Sequence, residues 1–176
     1  MECANPSASR ALSAAIVDRL GALDPAIEVA YRDLAADPLP HLTLDRFASD
    51  EGQAVLEQFL DADIVVIGAP MYNFAIPTQL KAWFDHILVA GRTFRYGAEG
   101  VEGLAGGKRV IIAASRGGLY GEGSPTAAFD HAERHVRAML GFVGVTDLDV
   151  IVAEGIAFGT DQREAAIAAA LDRIAA

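Results

Sequence analysis

Ile64-Val65-Val66-Ile67-Gly68-Ala69-Pro70-Met71-Tyr72-Asn73-Phe74-Ala75-Ile76-Pro77 is the stretch on which the fold turns. Its first residues are apolar on both faces of an extended chain, the pattern of a strand buried in a parallel sheet between two helical layers. Turn residues and aromatics follow, and Pro77 suits the first turn of a helix. Leu80, Trp83, Phe84, Ile87 and Leu88 then recur at i, i+3, i+4, i+7 and i+8, which predicts a helix over 77–90 with one apolar stripe. A strand at 64–68, a loop and a helix in that order form one βα unit.

The same alternation extends in both directions. Upstream, Val55, Leu56, Phe59 and Leu60 line one face of a helix over 51–60. Before it, a short strand at 27–31 leads into the Asp37-Pro38-Leu39-Pro40 loop. Leu12, Ile16, Leu20 and Leu23 mark a first helix over 7–23, with Ser7 or Ser9 as its cap. Downstream come a buried strand at 109–114, a helix over 125–140, a strand at 149–152 and an Ala-rich closing helix over 162–176. Repeated βα units imply an α/β fold, a doubly wound parallel sheet with helices on both faces, here as a single domain over residues 1–176.

Composition narrows the function. The chain is 52% hydrophobic and 22% charged, far from the regime of disordered segments. Twenty-four acidic residues against 14 basic ones leave a formal charge of -10, which repels nucleic acid and anionic lipid. Cys3 is the single cysteine, so there is no disulfide framework and no thiolate cluster for zinc. No stretch reaches the roughly 20 apolar residues of a membrane span, and the first residues lack a signal peptide's pattern. The expectation is a soluble, cytoplasmic protein with neither membrane nor nucleic acid as a partner.

Ligands of such sheets bind beyond the carboxyl ends of the strands. Two loops lie there, 69–77 and Ser115-Arg116-Gly117-Gly118-Leu119-Tyr120-Gly121. Both combine turn residues with aromatics, which suits a flat, partly polar ring held by main-chain groups and covered by side-chain faces. Other signals are weaker. His131 and His135 are four apart on a helix, but the Glu133 between them and the nearby Arg134 and Arg137 do not make a zinc motif, and a solvated face is the expected reading. Gly103-Leu104-Ala105-Gly106-Gly107-Lys108 departs from a nucleotide-phosphate loop in spacing and in the strand that follows it. Ser115 lacks the flanking glycine pattern of a hydrolase elbow. No metal site is expected.

Taken together with the loops, the run from Gly68 to Pro77 and on through Thr78-Gln79-Leu80-Lys81 resembles the flavin-binding segment of the FMN-dependent NADH azoreductases and quinone reductases. Thr93-Phe94-Arg95-Tyr96, Ser115-Arg116-Gly117-Gly118, Leu140-Gly141-Phe142-Val143-Gly144 and Ala153-Glu154-Gly155 fit in order and spacing. The resemblance is dense from 61 to 159 and thinner before that. It implies a flavodoxin-like sheet of order 2-1-3-4-5 and bound FMN, with Met71, Tyr72, Asn73 and Phe74 around the ring and Ser115, Arg116, Gly117 and Gly118 beside its pyrimidine side. Ser7, Ala8 and Ser9 would hold the phosphate, which also has a physical reason, since the free N–H groups at a helix start bind anions.

The implied reaction is a two-electron ping-pong transfer from NADH through FMN to a quinone or azo compound. The flavin carries the chemistry, so no protein group is expected to be catalytic. Tyr96 and Phe142 would border the acceptor, with Tyr120 a nearby proton source. The resemblance further implies a homodimer, with helix 77–90 partly building the interface through exposed Trp83 and Phe84. Arg116 sits where it would meet a nucleotide phosphate. The alternative is a flavodoxin-like electron carrier. One departure stands out: family members open with an apolar strand before the phosphate loop, and that first strand is missing before Ser7. The expectation is an upstream start, or a truncated, non-catalytic form that binds FMN poorly.

Overall fold

The computed structural model describes residues 7–43 and 49–175. The start of the chain with Cys3, and Ala176 at the end of the expected closing helix, lie outside the described residues. In order the chain forms α1 (Ala8–Leu23), α2 (Asp50–Asp61), β1 (Ile64–Pro70), α3 (Thr78–Ile87), β2 (Phe94–Gly97), β3 (Gly100–Gly103), β4 (Arg109–Arg116), α4 (Ala132–Phe142), β5 (Asp147–Glu154) and α5 (Thr160–Ala175).

Among the described residues the main sheet has three parallel strands in the order β1-β4-β5, the 3-4-5 half of the expected sheet. Ile64 pairs with Arg109 and Arg109 with Asp147, so all three strands end together at Pro70, Ser115 and Arg116, and Glu154. The strand period of two divides β4 between two cores. Ile111 and Ala113 join Leu12 and Ile16 of α1, Ala153 of β5 and Ala170 of α5. Val110, Ile112 and Ala114 join Val55 and Phe59 of α2, Leu80, Trp83, Phe84 and Ile87 of α3, and Val136 and Leu140 of α4. The sheet is therefore covered on both faces, as its apolar runs require. No helix among the described residues is long and apolar enough to cross a membrane.

The polar ends are met locally. Ser7 caps α1 through its hydroxyl, and Ser49 does the same for α2, accepting from the Gly52 N–H at 3.2 Å. Buried Lys108 donates to the carbonyls of Leu60 (2.5 Å) and Ala62 (2.7 Å) at the end of α2, while its charge lies 5.5 Å from the centre of the Phe59 ring. Desolvation lowers the pKa of this ammonium, and Asp63 and Asp61 oppose the shift.

Several expectations need correction. Residues 27–31 form no strand, because among the described residues no neighbouring backbone lies alongside to complete a ladder. The helix placed at 125–140 begins at Ala132, after a short 3-10 turn at Ala127–Phe129, where the Asp130 carboxylate accepts the Glu133 N–H at 3.0 Å. Strands β2 and β3 pair as an antiparallel hairpin that the apolar pattern did not reveal. Trp83 and Phe84 are not exposed: they are 9% and 0% accessible and pack edge-to-face on each other in the core.

The hairpin is pinned at its open end, on both strands. Buried Thr93 donates its hydroxyl to the Ile87 carbonyl at 2.7 Å. Beside it Gly103, paired with Phe94, lies so close to the backbone of Val143 and Gly144 that a Cβ would collide with it. Gly144 itself has φ +95°, a conformation that only glycine adopts without strain.

Candidate functional site

The carboxyl ends of β1, β4 and β5 converge, and the loops that leave them are tied to one another. The Met71 N–H donates to the Ser115 carbonyl at 2.8 Å; the N–H groups of Gly155, Ile156 and Ala157 donate to Gly118, Arg116 and Gly117. Immediately after β1, Tyr72 and Ala75 exchange hydrogen bonds around a two-residue turn in which Asn73 has φ 48° and Phe74 has φ 72°. Positive φ at both central residues is the geometry of a type I′ turn, tolerable for Asn and strained for Phe.

The strain is held in place from outside. The His131 N–H donates to the Phe74 carbonyl at 3.0 Å, and the Phe74 ring lies 5.5 Å from that of Phe129 and 6.2 Å from that of Tyr120. Strain of this kind persists only where neighbours over-determine the backbone, and it clusters at functional sites. Among the described residues the N–H groups of Asn73 and Phe74 donate to no protein acceptor. They lie beside the largely exposed side chains of Tyr72 and Phe74.

A second feature shares this edge of the sheet. The Ser9 carbonyl lies 3.7 Å from where a Cβ would sit on Gly68, so the start of α1 stands beside the end of β1. Ser7 Oγ and buried Ser9 Oγ are 3.2 Å apart there. Arg10 does not supply charge to this end: its guanidinium is paired in bidentate fashion with Asp33 (2.6 and 2.8 Å), whose carboxyl is pulled down to about 2, mainly by the hydrogen bond from Arg10. What remains is a helix N-terminus with two hydroxyls, suited to an anion. The donor set thus fits a ligand with an anionic group at one end and a flat ring bearing hydrogen-bond acceptors at the other.

Arg116 differs from expectation. Its side chain is 5% exposed and its guanidinium is engaged by Asp130 at 2.8 Å, by Glu133, and by Glu154 at 3.4 Å. It therefore does not meet a nucleotide phosphate. Below the loops, between the sheet and α4, packing leaves a cavity of about 10 Å³ bordered by Ile112, Val136, Arg116 and Glu133, room for no more than one water. A ring-sized ligand has to lie on top of the loops as on an open shelf.

The residues expected to meet a substrate divide into two groups. Tyr120 stands at the shelf. Tyr96 and Phe142 do not: with Phe94 they form a separate aromatic cluster, Phe94 to Phe142 at 4.8 Å and Phe94 to Tyr96 at 5.6 Å. Helix α4 separates the groups, since it starts beside Phe74 and ends at the opposite edge of the sheet, about 16 Å away for 11 residues. The sequence reading missed Phe129, whose isolated position carries no periodic signal, and the carboxylates around Arg116. His135, expected on a solvated face, lies against Phe84 with its Nε2 buried and, among the described residues, without a hydrogen-bond partner. No cluster of metal-ligating side chains occurs among the described residues.

Comparison with known proteins agrees with this fold. Residues 3–176 match the family model of the flavodoxin-like fold. The FMN-dependent NADH:quinone oxidoreductase of Methylorubrum extorquens is 58% identical over 185 residues, covering 97% of this chain and 91% of that protein. The FMN-dependent NADH:quinone oxidoreductase of Gluconacetobacter diazotrophicus is 55% identical over 183 residues, with the same coverage. In structure, the azoreductase from Bacillus anthracis str. Sterne superposes with a TM-score of 0.88 at 32% identity, covering 98% of this chain and 92% of that one. Fold and sequence converge, and the chain belongs to the flavodoxin-like family of the FMN-dependent NADH:quinone oxidoreductases.

Proposed function

We propose that this protein is an FMN-dependent NADH:quinone oxidoreductase that also reduces azo compounds. The observation that carries the reading is the pairing, on one edge of the sheet, of a serine-bearing helix start with an aromatic shelf whose Asn73 and Phe74 N–H groups have no protein acceptor among the described residues. Bound FMN would supply the two-electron hydride chemistry between NADH and acceptor. Ser7, Ala8 and Ser9 would hold its phosphate through N–H and hydroxyl donors. Met71, Tyr72, Asn73 and Phe74 would hold the ring from one side, and Ser115, the Arg116 backbone, Gly117 and Gly118 from the other. Tyr120, beside Phe74, is placed to pass a proton to the acceptor, with solvent as the other source.

The shelf is open, and Tyr96 and Phe142 lie too far along α4 to cover it within one chain. This supports a homodimer in which the Tyr96–Phe142 cluster of each copy covers the shelf of the other. The reducing cytoplasm is the proposed setting.

The test is the visible spectrum of the purified protein with FMN, followed by anaerobic NADH, with particle mass from light scattering. A dimer whose flavin band bleaches on NADH and returns on quinone addition is the expected result. A monomer that takes up FMN but is not bleached by NADH would instead be an electron carrier.

A further inference from the structure

Arg116 is a buried cation whose three partners come from two separate parts of the chain. Asp130 and Glu133 approach from the start of α4, and Glu154 from the end of β5. Arg137, one turn further along α4, shares Glu133 at 2.7 Å. Two guanidinium groups thus face three carboxylates. Two of these carboxylates also hold backbone at or beside the shelf. Glu154 accepts the Tyr120 N–H at 3.0 Å. Asp130 accepts the Glu133 N–H at 3.0 Å, and so fixes the backbone just where the His131 N–H reaches the Phe74 carbonyl. An arginine fork directs several N–H groups at fixed angles, which a lysine's point charge does not reproduce.

We propose that Arg116 is the positioning residue of this site: by gathering Asp130, Glu133 and Glu154 beneath the shelf, it holds the strained Asn73–Phe74 turn and the Tyr120 loop in one arrangement. It acts through these groups and does not touch the reactants. The proposal rests on the flavin-site reading for its effect on function, but the tether itself exists in the protein alone.

The geometry has a chemical signature. Replacing Arg116 with an apolar residue leaves three carboxylates, buried or partly buried, facing one another with only Arg137 for charge. Burial and like charge both favour their protonated forms. The damage is therefore greatest at high pH and relieved at low pH, as a proton replaces the missing donor. A residue important only for packing has no such dependence.

The experiment compares the full chain with Arg116→Met and Glu154→Leu. Amide hydrogen exchange on flavin-free protein at about pH 8 is expected to accelerate in Arg116→Met over residues 71–76 and 117–126, with α2 unchanged. FMN dissociation constants are expected to rise roughly tenfold to a hundredfold at about pH 8 and to recover in part at about pH 5.5, relative to the parent protein at each pH. Glu154→Leu removes the longest of the three Arg116 contacts together with the hold on Tyr120, and leaves Asp130 and Glu133 on the guanidinium, so the quinone KM is expected to rise several-fold with FMN affinity changed far less than in Arg116→Met. Exchange in Arg116→Met equal to the parent overturns the proposal; so does a loss of FMN binding that is the same at both pH values. If Arg116→Met does not fold, Glu154→Leu decides, and an unchanged KM and unchanged exchange over 117–126 overturn the proposal. A parent protein that takes up no FMN overturns the flavin reading instead, and the exchange result still decides the tether.

Discussion

His135 shows how one side chain carries a cost that the fold tolerates. Its Nε2 is buried without a hydrogen-bond partner among the described residues, while its ring packs edge-on against Phe84 at 6.3 Å. Burial lowers its pKa below the ordinary value and Lys81 adds to this, with Asp85 opposing. A histidine held neutral in the fold is protonated more readily in the unfolded chain, so stability is present above the ordinary value of about 6.5 and declines as pH falls through it. His135→Leu keeps the apolar contact and removes the unpartnered nitrogen. We expect it to stabilise by about 1 kcal/mol near neutrality, or roughly 2–4 °C in Tm, with a larger gain at about pH 5.5. Thermal melts at both values check this, and a gain that shrinks on acidification contradicts it. Phe74 is the counterpart at the shelf: its strained backbone is kept by the His131 N–H and two neighbouring rings, not by any preference of its own.

At the scale of elements, the hairpin is fixed by glycine. The Gly103→Ala substitution drives a methyl into the backbone of Val143 and Gly144, which has no flexible side chain to yield. Overpacking of this kind is expected to cost about 2–3 kcal/mol and to lower Tm by roughly 5–10 °C, measured against Gly97→Ala in the same hairpin, where a Cβ meets only an ordinary contact, as the control. This hairpin also shows where the sequence stops being legible. The three long strands and the stripes of α2 and α3 could be read because each repeats an apolar pattern over several residues. Phe94–Gly97 and Gly100–Gly103 are four residues each and rich in glycine, too short for a period to show. Residues 27–31 have strand composition, but a strand also requires a neighbour. At the site, the loop residues stood out because they follow strands directly. The partners of Arg116 did not, since Asp130, Glu133 and Glu154 lie well beyond it in sequence, the last two 17 and 38 residues away, and only the winding of α4 and β5 brings them in.

The whole molecule carries a formal charge of -10, and both proposed ligands of the shelf are anionic. Its field slows their approach, and salt screens that field over about 10 Å at 0.1 M. With FMN bound, kcat/KM for NADH is therefore expected to rise about two- to fivefold between about 20 and about 200 mM NaCl, while kcat stays level. A fall over this range would mean that local positive groups at the shelf outweigh the net charge. The contact of Gly103 with Gly144 also joins parts far apart in sequence, one before β4 and one after α4. Its consequence is hereditary as much as mechanical. In recombination among related genes, a crossover between the codons for these two glycines can separate residues that fit only each other. Viable chimaeras should therefore inherit the hairpin and the turn after α4 from the same parent.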